Sequence, residues 1–140
     1  MRAARFLSDR EAEAVDAQAI VRLFASPLGR RIRNAEHLRR EFRFSLLCDA
    51  AELLGTGAGE KLLLQGVVDC LLEEDGALVV VDYKTDAVRS DAQLAERCRL
   101  YTPQLRAYAA AVQRIFARPV RECVLYFLSA GKEARVLPAP

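Results

Sequence analysis

The chain has 140 residues, 52% of them hydrophobic and 29% charged, with a formal net charge of +2. That suits one globular domain with a real core and excludes a mostly disordered chain. No apolar run reaches the roughly 18 residues a membrane span needs, and the net charge is too small to argue for nucleic acid by itself.

In chain order, the spacing of Ala14, Ala17, Ile20, Val21 and Phe24 predicts a helix over 9–25, ended by Ser26, Pro27 and Gly29. Residues 30–40 are charged and suit a second short helix. Arg30, Arg31, Arg33, Arg39, Arg40 and Arg43 crowd this stretch, opposed by Glu36 and Glu41. They read either as a patch for phosphates or as a solvated arginine face. Phe42, Phe44 and Leu46 alternate with Arg43 and Ser45, which predicts a strand over 41–47. The glycine-rich 55–60 lacks the GK[ST] ending of a phosphate loop and opens no helix, so it reads as a connection between strands. Two strongly apolar strands follow, 61–72 and 77–83, joined at Glu74-Asp75-Gly76-Ala77, where Asp-Gly suits a type I′ hairpin. Residues 85–99 are polar and read as a loop with some helix. Thr102 as N-cap and Pro103 at the first helical position then open a helix to about Ala117, with Leu105, Tyr108, Ala109, Val112 and Phe116 on its inner face. Pro119 stops it, 120–128 form a buried strand, and 133–137 a short edge strand. Three antiparallel strands, a crossover helix and a fourth strand beside them make an α/β fold with a mixed sheet. The cysteines at 48, 70, 98 and 123 form no CxxC pair. Cys70 and Cys123 lie in apolar runs as core residues, and reduced thiols with no signal peptide at Met1 fit the cytosol.

The hairpin points to chemistry. With Asp75-Gly76 as the turn, paired positions sum to 151, and Asp69 falls opposite Asp82. Facing side chains share one side of a sheet with Cβ atoms about 5 Å apart. Two carboxylates among Val67, Val68, Leu71 and Val79–Val81 must share a proton or bind a cation. Carboxylate oxygens suit Mg²⁺ or Mn²⁺. Lys84, two residues past Asp82, projects to the same face, where it would steady a phosphoryl oxygen or orient water. Tyr83 points to the other face but offers its backbone carbonyl as a metal ligand. The rival reading is an Asp–Lys ion pair at a strand end, with Asp69 at a bend beside Gly66. Gln104 and Tyr108 share a helix face; Gln104 in the first turn would favour a DNA phosphate, while Tyr108 equally suits the core. Glu41 either reaches the acidic cluster or merely opens its strand. His37, the single histidine, reads as a solvated residue.

REFRFSLL, then LQGVVDCLLEEDGALVVVDYKTD, then YTPQLRAYAAAV, then VLYFL together resemble the C-terminal nuclease domain of the AddA and RecB helicase–nucleases, nearer to AddA. The likeness covers roughly residues 25–130, and its specificity lies in combining G-x-x-D, DYKTD and Q-x-x-x-Y. It implies a restriction-endonuclease-like PD-(D/E)xK core, residues 1–140 as one nuclease domain of a larger chain, and Mg²⁺- or Mn²⁺-dependent exonucleolytic cleavage of DNA. The setting it implies is bacterial double-strand-break repair and recombination, coupled to an ATP-driven helicase. The implied partners are DNA, the helicase region of the same chain and an AddB-like subunit, with no membrane. On the motif, Asp69 and Asp82 would be metal ligands, Lys84 the catalytic lysine, Glu41 the glutamate before the first core strand, and Gln104 and Tyr108 supports of the active site and DNA. The chain departs from the family in two ways: it has no Walker A motif, and His37 lies too close to Glu41 to be the family's upstream metal-binding His. The fragment is therefore expected to lack one ligand and to be weakly active or inactive alone. The competing functions are a non-catalytic DNA-binding or docking module and another PD-(D/E)xK nuclease such as a resolvase.

Overall fold

In the computed structural model, residues 17–49, 51 and 59–138 are described. The first part of the helix expected over 9–25 and most of the glycine-rich 55–60 lie outside them. Two short helices, α1 (Ala17–Ala25) and α2 (Pro27–Asn34), lead into β1 (His37–Asp49), β2 (Lys61–Glu74) and β3 (Ala77–Lys84); the long α3 (Asp91–Phe116) then precedes β4 (Val120–Phe127) and β5 (Lys132–Val136). The five strands form one sheet in the order β1-β2-β3-β4-β5, with β3 and β4 parallel and the other neighbours antiparallel. The sheet lies between α3, which buries Leu105, Ala109, Ala111 and Val112 on one face, and α1–α2, which bury Leu23, Leu28 and Ile32 on the other. No helix among the described residues is long and apolar enough to cross a membrane.

Several boundaries differ from the sequence reading, each for a local reason. Ser26 and Pro27 do more than stop α1. Ser26 caps α2, its hydroxyl accepting from the Gly29 N–H at 3.1 Å, with Pro27 in the first turn. The second helix therefore starts earlier than residue 30, and β1 starts at His37 because its first residues pair with Glu73 to Cys70. In α1 the buried residues are Ala19 and Leu23, one turn apart, whereas Val21 is 67% exposed. The largest correction is α3. It begins at Asp91, not Thr102, and its cap is Ser90, whose hydroxyl accepts from the Gln93 N–H while the Gln93 carboxamide accepts from the Arg89 N–H. Pro103 sits inside this helix, where it removes one backbone donor; the Thr102 hydroxyl donates to the Cys98 carbonyl beside that gap. Gln104 is thus far from any helix N-terminus, and the dipole argument for a phosphate at that residue falls.

The hairpin follows the predicted register from Glu74↔Ala77 to Cys70↔Val81, and both turn residues, Asp75 and Gly76, have positive φ. Beyond Cys70 the pattern breaks in an informative way. Cys70 and Leu72 face the α1–α2 layer, yet Val68 and Leu64, also even-numbered, pack on the α3 side. Strict alternation forbids this, so the strand reverses its faces at Asp69. β1 does the same. Leu38 packs toward α1–α2 whereas Phe42, Phe44 and Leu46 pack toward α3, and the pairing steps over Glu41 and Asp69 together. Glu41 adopts φ +50°, a left-handed conformation uncommon for a residue with a side chain. Past this double kink β1 and β2 continue as a two-stranded arm that no longer pairs with β3.

Candidate active site

Glu41, Asp69, Asp82, Lys84, Gln104 and Tyr108 line one cleft of about 390 Å³, together with Arg43, Gly66 and Val67. Asp82 and Lys84 come from the C-terminal end of β3, Asp69 and Glu41 from the paired kinks, and Gln104 and Tyr108 from the middle of α3. The kink places Asp69 differently from a simple ladder partner. Its Oδ2 accepts from the Tyr83 N–H at 2.8 Å, taking the place of a backbone acceptor where β2 leaves β3.

Lys84 Nζ lies 3.0 Å from Asp82 Oδ2, in a pair whose side chains are 18% and 15% exposed. The same ammonium donates to Gln104 Oε1 at 3.5 Å and sits 4.1 Å from the centre of the Tyr101 ring. Gln104 Nε2 donates onward to the Tyr108 hydroxyl at 3.5 Å. Tyr108 packs edge-on against Phe44 and passes so close to Gly66 that a Cβ there would lie 2.5 Å from its ring. Gly66 is thus required by the helix–strand approach, as well as being the first residue of the G-x-x-D spacing. The Tyr101 hydroxyl donates to both oxygens of Asp86, at 3.0 and 2.8 Å. Burial, followed by the Asp86 carboxylate, pushes its pKa up to about 12. Sequence reading passes over Tyr101 and Asp86. Tyr101 is three residues before Gln104 and shares its face only if the helix starts before Thr102.

The other candidates lie elsewhere. The Tyr83 side chain is buried on the α1–α2 face, with its hydroxyl 3.2 Å from Cys70 Sγ, and does not line the cleft. Burial pushes its pKa far up, and pushes the Cys70 thiol up to about 11. His37 opens β1 opposite Glu73 and is exposed, at the other end of the sheet from the cleft. The arginine-rich stretch does not form one face. Arg31 is tied to Glu74 and Glu122, Arg33 donates to the Phe24 carbonyl, Arg39 lies over the Phe116 ring, and only Arg43 of the six lines the cleft.

Among the described residues, no three His, Cys, Asp or Glu side chains converge as a ready-made metal site. Asp69 turns one oxygen to Tyr83, and Asp82 turns one to Lys84. The donor set still fits a hard divalent cation, because Mg²⁺ is commonly held by one or two carboxylates with water completing its shell. Asp69 and Asp82 supply that pair, and Glu41 borders it.

The acidic cleft and its lysine thus lie at the C-terminal end of a parallel strand pair, where β1 and β2 together turn away from β3. The family model of the PD-(D/E)XK nuclease superfamily matches residues 2–138, and the chain belongs to that superfamily. Among curated proteins it is similar to an ATP-dependent helicase/nuclease protein of Carboxydothermus hydrogenoformans, with 46% identity over 127 residues, 89% of this chain and 11% of that one. The proteins of the same name from Geobacillus kaustophilus and Moorella thermoacetica are 42% and 41% identical, over 89% and 93% of this chain. The chain thus spans about a tenth of the length of these relatives. The crystal structure of SSO0001 shares the fold, with a TM-score of 0.54 at 13% identity over 95% of this chain and 54% of its own.

Proposed function

We propose that this chain is the Mg²⁺-dependent DNA-cleaving part of an ATP-dependent helicase–nuclease that processes double-strand breaks for recombinational repair. The observation that carries this reading is the meeting of Asp69, Asp82 and Lys84 in one cleft, on a chain similar over about 90% of its length to proteins named helicase/nuclease. The proposed partners are DNA, a helicase region of the same longer polypeptide and an AddB-like second subunit.

Asp69 and Asp82 would hold the cation, with Glu41 at the border of the set. When bound, a divalent ion supplies Lewis-acid polarisation of the scissile phosphate and makes water more acidic. The chain's own groups do the rest. Lys84 presents Nζ to a phosphoryl oxygen as negative charge develops there. Its pairing with Asp82 keeps it at the cation site. Arg43, on the cleft wall, adds a positive charge for the DNA backbone. Tyr108, wedged on Gly66 and Phe44, fixes the helix face that bounds the cleft.

Asp82→Ala is expected to abolish Mg²⁺-dependent cleavage of linear duplex DNA in the intact protein while leaving the far-ultraviolet circular dichroism spectrum unchanged. Cleavage by that variant at the wild-type rate sinks the assignment.

A further inference from the structure

We infer that Tyr101 is the positioning residue for Lys84, its ring carrying one side of the ammonium group, and that Asp86 serves this clamp rather than the cation. The inference rests on the nuclease reading only for its kinetic consequence. An ammonium has three protons to place. Here they have three partners in three directions: the Asp82 carboxylate at 3.0 Å, the Gln104 carboxamide oxygen at 3.5 Å and the Tyr101 ring face at 4.1 Å. A ring face attracts a cation without offering it a proton acceptor, so it directs the charge without competing for it as a second carboxylate would.

The ring is itself held. The Tyr101 hydroxyl donates to both Asp86 oxygens, and Arg97 Nε stands 3.6 Å from Asp86 Oδ2. Asp86 is two residues beyond Lys84 and does not line the cleft. Its carboxylate is engaged by Tyr101 and Arg97. Of the three partners of Lys84, the Gln104 oxygen is the most distant polar one and belongs to an exposed side chain. That contact is the one a phosphoryl oxygen replaces, while Asp82 and the ring hold the ammonium in place.

In protein isotope-labelled at lysine, the Lys84 side-chain signal is identified by its loss in Lys84→Arg. The ε-methylene protons of Lys84 are expected upfield of the other lysine signals because of the Tyr101 ring current. The shift should survive in Tyr101→Phe and vanish in Tyr101→Leu. In DNA cleavage, Tyr101→Leu should lower kcat about tenfold with KM within about twofold, and Tyr101→Phe should restore most of it. An unshifted Lys84 signal in the wild-type protein overturns the inference without any variant, and so does wild-type kcat in Tyr101→Leu. A shifted signal lost only in the leucine variant supports the clamp even if the wild-type protein cleaves no DNA, a result that would count against the nuclease reading alone.

Discussion

Three carboxylates at one end of the sheet and three at the other are treated in opposite ways. At the N-terminal end of the β3–β4 pair, Glu73, Glu74 and Glu122 meet four arginines. Arg118 pairs with Glu73, Arg121 with Glu74, Arg31 with Glu74 at 2.9 Å and Glu122 at 2.5 Å, and Arg135 with Glu122 at 2.7 Å. The hydrogen bond from Arg31 holds the Glu74 carboxyl below its usual range, and Glu74 in turn raises Arg31. At the C-terminal end, Glu41, Asp69 and Asp82 share a cleft whose basic lining, among the described residues, is Lys84 and Arg43. Acids answered by guanidinium groups close the fold. Acids gathered around an opening are in a different setting, and the proposed site rests on that contrast in setting rather than on acidity.

The largest effect expected from this contrast is on stability. Glu122 is 4% exposed and is shared by Arg31 and Arg135, so Glu122→Ala should cost about 2–3 kcal/mol in urea denaturation, Arg31 keeping Glu74 and Arg135 being solvated. Asp82→Ala, in the same assay, should cost about 1 kcal/mol or less, because relief of repulsion among the cleft carboxylates offsets the loss of its pair with the partly buried Lys84. Equal losses in the two variants would erase the distinction. A smaller effect is expected at the cleft wall. Gly66→Ala drives a Cβ against the Tyr108 ring and should cost about 1–3 kcal/mol, while perturbing Tyr108 and Phe44 in side-chain spectra. The smallest is the pH response of the arginine-rich end. The folded pKa of Glu74 is depressed, so its contribution is fully present above the unfolded value near 4.5 and is lost as pH falls through the lower folded value. Glu74→Gln should flatten the acid limb of the stability curve in that window; an unchanged limb would show that Glu74 carries none of it.

Much of the scaffold was readable in the residues. Asp75-Gly76 gave the turn, and the turn gave the register down to Cys70↔Val81. The parallel fourth strand followed from the crossover helix. The face reversal at Glu41 and Asp69 was not readable, because alternation rules assume a straight strand and the kink shows only when two strands are seen to skip the same pair. Ser90 and Gln93 form a capping pattern that the sequence reading passes over, taking the start from Thr102-Pro103, which lies mid-helix. That one boundary hid Tyr101, since a helix begun at Thr102 has no residue there.

The backbone at Glu41 has a practical consequence for anyone engineering this domain. A left-handed φ on a glutamate costs roughly 1 kcal/mol or more, a strain that glycine would relieve. Consensus-free stabilisation screens would therefore favour glycine at this position early, and the hardier protein they returned would have lost an oxygen donor from the wall of its cleft.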